Sequence, residues 1–161
     1  MVIVIAGPAG AGKTTVGHAL ASAQNWRFVD GDDFHTPAAV SKMRAGVPLT
    51  DAERAPWLAS LHSLISAILG RREHLVLACS ALKERYRATL RGDLRTVRFV
   101  YLKADEQTLG RRLADRAGHF VGPTLLTSQL ADLEEPADAL TIDATEPPER
   151  IVAIIRREFG L

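Results

Sequence analysis

Five apolar residues, VIVIA from Val2 to Ala6, run straight into GPAGAGKT, Gly7 to Thr14. A continuous β-branched run that stops at glycine predicts a strand buried on both faces, as in a parallel sheet. Residues 13–24 then read as a helix, with Val16, Ala19, Leu20 and Ala23 at helical spacing. The loop between them has the spacing G-x-x-x-x-G-K-T. Its glycines let successive backbone N–H groups converge on phosphate oxygens without Cβ clashes, and the helix aims its positive end at the same anion. Lys13 can reach the outer phosphates, and the Thr14 hydroxyl is a ligand for Mg²⁺. Gly7, Pro8, Ala9, Gly10, Ala11, Gly12, Lys13, Thr14 and Thr15 are therefore assigned to a nucleoside triphosphate, ATP. The loop does not name the second substrate.

The chain has 161 residues, 47% of them hydrophobic, which suits one domain with a real core. A net charge of +1 gives no reason to expect a nucleic-acid or membrane surface. Cys79 is the single cysteine, so no disulfide forms within the chain and a reducing compartment is expected. The opening MVIVIAG is too short for a signal-peptide hydrophobic region and lacks a basic start, and no apolar run approaches a membrane span. The expectation is a soluble, cytoplasmic protein.

Further strands are predicted at residues 26–32, 74–80, 96–104 and 139–144, and helices at 35–46, 50–69, 82–91, 105–116, 124–135 and 147–159. Thr50 and Glu53 have the spacing of a capping box. Strands alternate with helices from end to end, which predicts an α/β domain over residues 1–161 with a five-stranded parallel sheet. Ligands of such sheets bind beyond the carboxyl ends of the strands. Residues 7–14, 30–35, 80–87 and 145–147 all fall there.

These segments supply the candidates for the acceptor. In DGDDFH, Asp30 and Asp32 are expected to share one side of an extended strand and face the cleft. There they would orient Mg²⁺ through water or take a proton from a hydroxyl, whereas Asp33 reads as a helix cap. His35 either hydrogen-bonds a polyol or carboxylate or is an exposed residue at a helix start. Lys83 and Arg87 are four apart, and the expectation puts both on one helix face near the cleft, where they suit an anionic acceptor. Ser80 touches substrate or caps that helix, and Arg54 binds a carboxylate or pairs with Asp51. Arg112 and Arg116 precede AGHF, a glycine-containing loop that reads as a lid around residues 116–124, with His119 on it. Arginines there would stabilise charge on a transferring phosphoryl group. Cys79, Trp26 and Trp57 read as core.

Taken in order, GPAGAGKTT, FVDGDDFH, KMRAGVPLTDAERAPWL, CSALKERYR, RRLADRAGHF and LLTSQLADLEEP resemble the gluconokinase family over nearly the whole chain. The resemblance implies a P-loop fold like that of the nucleoside-monophosphate kinases. It also implies transfer of the ATP γ-phosphate to the 6-hydroxyl of D-gluconate, a requirement for Mg²⁺, and a homodimer. The related shikimate kinases place two acids at the end of the second strand, and by that comparison Asp30 holds Mg²⁺ through water while Asp32 binds the acceptor hydroxyl as base or orienter. Arg54 and Arg87 would grip the acceptor carboxylate, with His35 and Lys83 nearby. A shikimate-like or nucleotide kinase of the same fold, and a nucleotide-binding switch with no small-molecule acceptor, are the competing readings.

Overall fold

The computed structural model describes residues 1–115 and 123–161. Strand β1 (Val2–Ala6) is buried along its whole length. It occupies the centre of a five-stranded parallel sheet of order β2-β3-β1-β4-β5. The other strands are β2 (Arg27–Asp30), β3 (Leu75–Ala78), β4 (Val97–Lys103) and β5 (Leu140–Asp143). Val2 lies opposite Leu75 on one side and Val97 on the other. Parallel neighbours need long crossovers. These carry α1 (Lys13–Gln24), α2 (Pro37–Arg44), α3 (Asp51–Gly70), α4 (Glu84–Arg91), α5 (Glu106–Ala114), α6 (Pro123–Asp132) and the closing α7 (Pro148–Phe159).

Side chains alternate across β1, so the sheet has an apolar layer on each face. Ile3 and Ile5 pack with Val16 and Leu20 of α1, Leu109 of α5 and Ile151 and Ile155 of α7. Val2, Val4 and Ala6 pack with Leu58, Leu61 and Ile65 of α3 and with Tyr86 and Leu90 of α4. This is the three-layer α/β architecture of the P-loop kinases. Among the described residues, no helix is long and apolar enough to cross a membrane.

Two boundaries differ from expectation in ways that bear on function. The second strand stops at Asp30, and Gly31–Phe34 form a single 3-10 turn. The turn forms because the Asp30 carboxylate accepts the Asp32 N–H, at 3.1 Å. Asp30 and Asp32 are thus joined across a turn rather than spaced along one side of a strand. The fourth helix begins at Glu84, with Lys83 as its N-cap. Arg116, His119 and most of the expected lid lie outside the described residues.

Candidate active site

The glycine loop sits between the buried end of β1 and α1, and Gly7 N–H donates to the Ser80 carbonyl at 3.2 Å, tying the loop to the end of β3. Gly12, the residue before α1, has φ of 90°, a left-handed conformation that glycine adopts at no steric cost. Among the described residues no side chain caps α1, so the first N–H groups of the helix remain aimed at the loop's contents. Lys13 is half-buried, and its ammonium donates to the Pro8 carbonyl at 3.0 Å, folding its charge over the loop.

The Thr14 hydroxyl donates to Asp30 Oδ2 at 2.8 Å. The loop and the end of β2 therefore meet at an oxygen pair of the hard type that Mg²⁺ prefers. Among the described residues no cluster of three or more His, Cys, Asp or Glu could hold a metal alone. A donor pair of this kind suits an ion that takes its remaining ligands from phosphate and water. The Cys79 thiol, just past β3, feels the charges of Asp32, Lys13 and Asp30. Burial, with the help of Asp32, pushes that thiol up to about 12, so Cys79 is an inert core residue.

Gly31 is needed where it stands. A Cβ there would lie 2.8 Å from the Ala78 carbonyl, so only glycine lets the turn cross the end of β3. The Gly31 carbonyl accepts the Trp57 indole N–H at 2.8 Å. Trp57 is buried as expected, and it also supports the site, because His35 stacks on it with ring centroids 4.4 Å apart. The His35 side chain is 6% exposed, so it is not a surface residue at a helix start; Thr36 caps α2 instead. His35 Nε2 lies 3.8 Å from Asp32 Oδ1. Burial lowers the His35 pKa below its ordinary value against the pull of Asp32, and the charge of Arg54 adds to the lowering.

Arg54 enters from the first turn of α3, which a capping box fixes in place. Thr50 Oγ1 accepts Glu53 N–H, and Glu53 Oε2 accepts Thr50 N–H. Lys42, followed by the Thr50 bonds, holds the Glu53 carboxyl down at about 2. Arg54 does not pair with Asp51. Its guanidinium donates to the Tyr86 hydroxyl at 2.9 Å and to Asp132 Oδ2 at 3.3 Å. Lys83 reaches the same carboxylate, with its ammonium 3.0 Å from Asp132 Oδ1, and also donates to Asp51 at 3.3 Å. Arg54 and Lys83 thus converge on Asp132.

Arg87 does not join them. It is 2% exposed, and its guanidinium is committed to the Ala81 and Leu82 carbonyls at 2.9 and 3.0 Å and to Glu84. The expectation that it shares a face with Lys83 near the cleft is corrected. Because Lys83 caps α4 from outside the helix, the two residues point differently, and Arg87 supports the 81–82 loop from beneath. Ser80 is half-buried just past β3 and contributes its carbonyl to Gly7. Asp33 is exposed, and the cap of the 31–34 turn is Asp30.

Behind the loop, a cavity of about 340 Å³ is lined by Gly10, Gly12, Thr15, Arg112, Pro148 and Ile151, among others. Arg112 forms one wall, donating to the Ala144 carbonyl at 2.8 Å and the Gly10 carbonyl at 3.4 Å. It therefore lies beside the loop, in a chamber of the size and mixed polarity that a nucleoside takes. Sequence reasoning misses three participants. They are Tyr86, and Gln129 and Asp132 of α6, which stand within CSALKERYR and LLTSQLADLEEP but are singled out there by no spacing that marks a role. Gln129 Oε1 accepts the Ala9 N–H of the loop at 2.7 Å.

A family model described as an AAA domain matches residues 2–136. The chain is 42% identical over 160 residues to a gluconokinase of Gluconobacter oxydans, covering 98% of this chain and 90% of that one. Among solved structures, a sugar kinase from Janibacter sp. HTCC2649 superposes with a TM-score of 0.92 at 36% identity, over 99% of this chain and 94% of that chain. A gluconokinase from Sinorhizobium meliloti superposes with a TM-score of 0.84 at 36% identity, over 99% and 95%. A glycine loop joined to an acid pair, a pair of convergent cations opposite, and relatives of this similarity over nearly their full length place the chain in the gluconokinase family.

Proposed function

We propose that the protein transfers the γ-phosphate of ATP to the 6-hydroxyl of D-gluconate, giving 6-phospho-D-gluconate and ADP. The observation that carries the reading is the placing of Arg54 and Lys83 on one carboxylate. Gluconate has a carboxylate at one end and a primary hydroxyl at the other. Two cations at the far side of the site hold the first and present the second toward Asp32 and Lys13. Asp32 orients the attacking hydroxyl and accepts its proton as the bond forms. Little base strength is needed in a loose phosphoryl-transfer transition state. His35, stacked on Trp57, stands beside Asp32 and adds a polar edge for the polyol, and Ser80 borders the same cleft.

Lys13 and the N–H groups of the loop hold the phosphates and counter the charge that builds on them in transfer. Thr14 and Asp30 would hold Mg²⁺, directly and through water respectively, and the ion when bound neutralises the phosphate oxygens. Arg112 flanks the nucleoside. The lid around residues 116–124, with Arg116 on the transferring group and His119 near the acceptor, rests on the basic residues that precede AGHF, and assembly as a homodimer rests on the resemblance.

The test is ADP release with Mg²⁺ and ATP against D-gluconate, shikimate, other sugar acids and a nucleotide panel. Stimulation by gluconate alone is the expected outcome, with product analysis fixing the hydroxyl. ATP binding without any gluconate-stimulated turnover would overturn the acceptor. Lys13→Ala is expected to lower kcat by at least about 100-fold in a folded protein.

A further inference from the structure

The two cations of the acceptor side are not waiting for a ligand, because the chain supplies one. Asp132, the last residue of α6, puts Oδ2 3.3 Å from Arg54 and Oδ1 3.0 Å from Lys83. One carboxylate thus spans two cations, one oxygen to each, in the manner an acidic substrate would. Asp51 differs: it contacts Lys83, Arg85 and Tyr86 at the margin of the cluster. One turn before Asp132 on α6, Gln129 puts its amide oxygen on the Ala9 N–H of the glycine loop. The end of α6 therefore places an acceptor atom on a donor of each half of the site.

We propose that Asp132 is an internal stand-in for the acceptor's carboxylate, holding Arg54 and Lys83 until the substrate displaces it and thereby setting the affinity for the acceptor. The inference rests on the reading of the site as one for a sugar acid. The exposures decide whether displacement is feasible. Arg54 and Lys83 are each 16% exposed and Asp132 is 28% exposed. A buried, fully desolvated pair would be costly to break. A pair open to water on one side exchanges readily, because water resolvates the carboxylate that leaves. The Asp132 hydrogen bond also raises the Lys83 pKa above its ordinary value, against the opposing effect of burial. A ligand that must first displace an internal competitor has its apparent affinity reduced by the fraction of molecules in which the competitor is seated.

The experiment measures KM for D-gluconate and kcat/KM at saturating ATP in wild type and in Asp132→Asn, which keeps the shape and removes the charge. The expected result is a KM lower by about threefold to tenfold, with kcat/KM raised by the same factor. In an Arg54→Ala background the same substitution is expected to have a smaller effect, since one of the contested cations is gone. An unchanged or raised KM in Asp132→Asn would overturn the proposal and make Asp132 a buttress for Arg54 and Lys83. If Asp132→Asn does not fold, Asp132→Ala is read in the same way. Wild type inactive with gluconate would overturn the assigned acceptor instead. An active wild type with a KM that does not fall overturns only the role of Asp132.

Discussion

Arg87 carries its charge into a place with almost no water, and two backbone carbonyls and the Glu84 carboxylate receive it there. Truncation would strip the Ala81 carbonyl of its donor and leave the Glu84 carboxylate without its cation, while the Leu82 carbonyl would keep only the Glu134 N–H. Arg87→Ala is therefore expected to cost about 2–4 kcal/mol in urea unfolding. A variant as stable as wild type, with only its gluconate KM raised, would return Arg87 to the substrate. The sequence led toward the substrate for a simple reason. Spacing of four puts two residues on one helix face only if both lie inside the helix, and Lys83 lies one residue outside it. Boundaries of this kind depend on which N–H groups find a partner, and composition does not show that. Lys13 and Thr14 were legible because the spacing of the loop fixes their roles in any fold that contains it.

At the scale of elements, the strands and helices were readable from periodicity, since the buried strands are continuous apolar runs and Thr50 and Glu53 mark the start of α3. The end of β2 was not. The alternation that would have put Asp30 and Asp32 side by side stops where Asp30 caps its own turn. Gly31 is the one residue of DGDD whose identity reports that turn, through the closeness of the Ala78 carbonyl. Gly31→Ala is expected to lift β2 away from β3, destabilising the protein by about 1–3 kcal/mol. It should also lower kcat, because Asp30, Asp32 and the Trp57 anchor move with the turn. Thermal unfolding and turnover measured on the same sample check this, and loss of stability with kcat intact would separate the turn from the chemistry.

For the whole molecule, the acceptor side is assembled from β2, α3, α4 and α6, and no local pattern connects Asp32, Arg54, Lys83 and Asp132. Topology brings them together, which is why LLTSQLADLEEP is recognisable as a segment while the contact that Asp132 makes with Arg54 and Lys83 is not. One titration links that cluster to global stability. His35 has a folded pKa below its ordinary 6.5, chiefly through burial, so at neutral pH it is uncharged folded and unfolded. As pH falls below about 6.5 the unfolded chain binds the proton first, and stability declines until the folded pKa is passed. His35→Gln is expected to flatten the melting temperature against pH in that window, and an unchanged slope would assign it elsewhere. The sheet order has a consequence for how the protein is made. β1 and the loop it carries are translated long before β3 and β4, the strands on either side of β1. At ordinary elongation rates the hundred residues between β1 and the end of β4 take roughly five to twenty seconds. Throughout that interval the nascent chain holds the whole GPAGAGKT sequence without both sheet neighbours of β1, and Arg112, Pro148 and Ile151 of the nucleoside chamber follow later still, so the loop's ligand meets a complete site only once nearly all of the chain has been made.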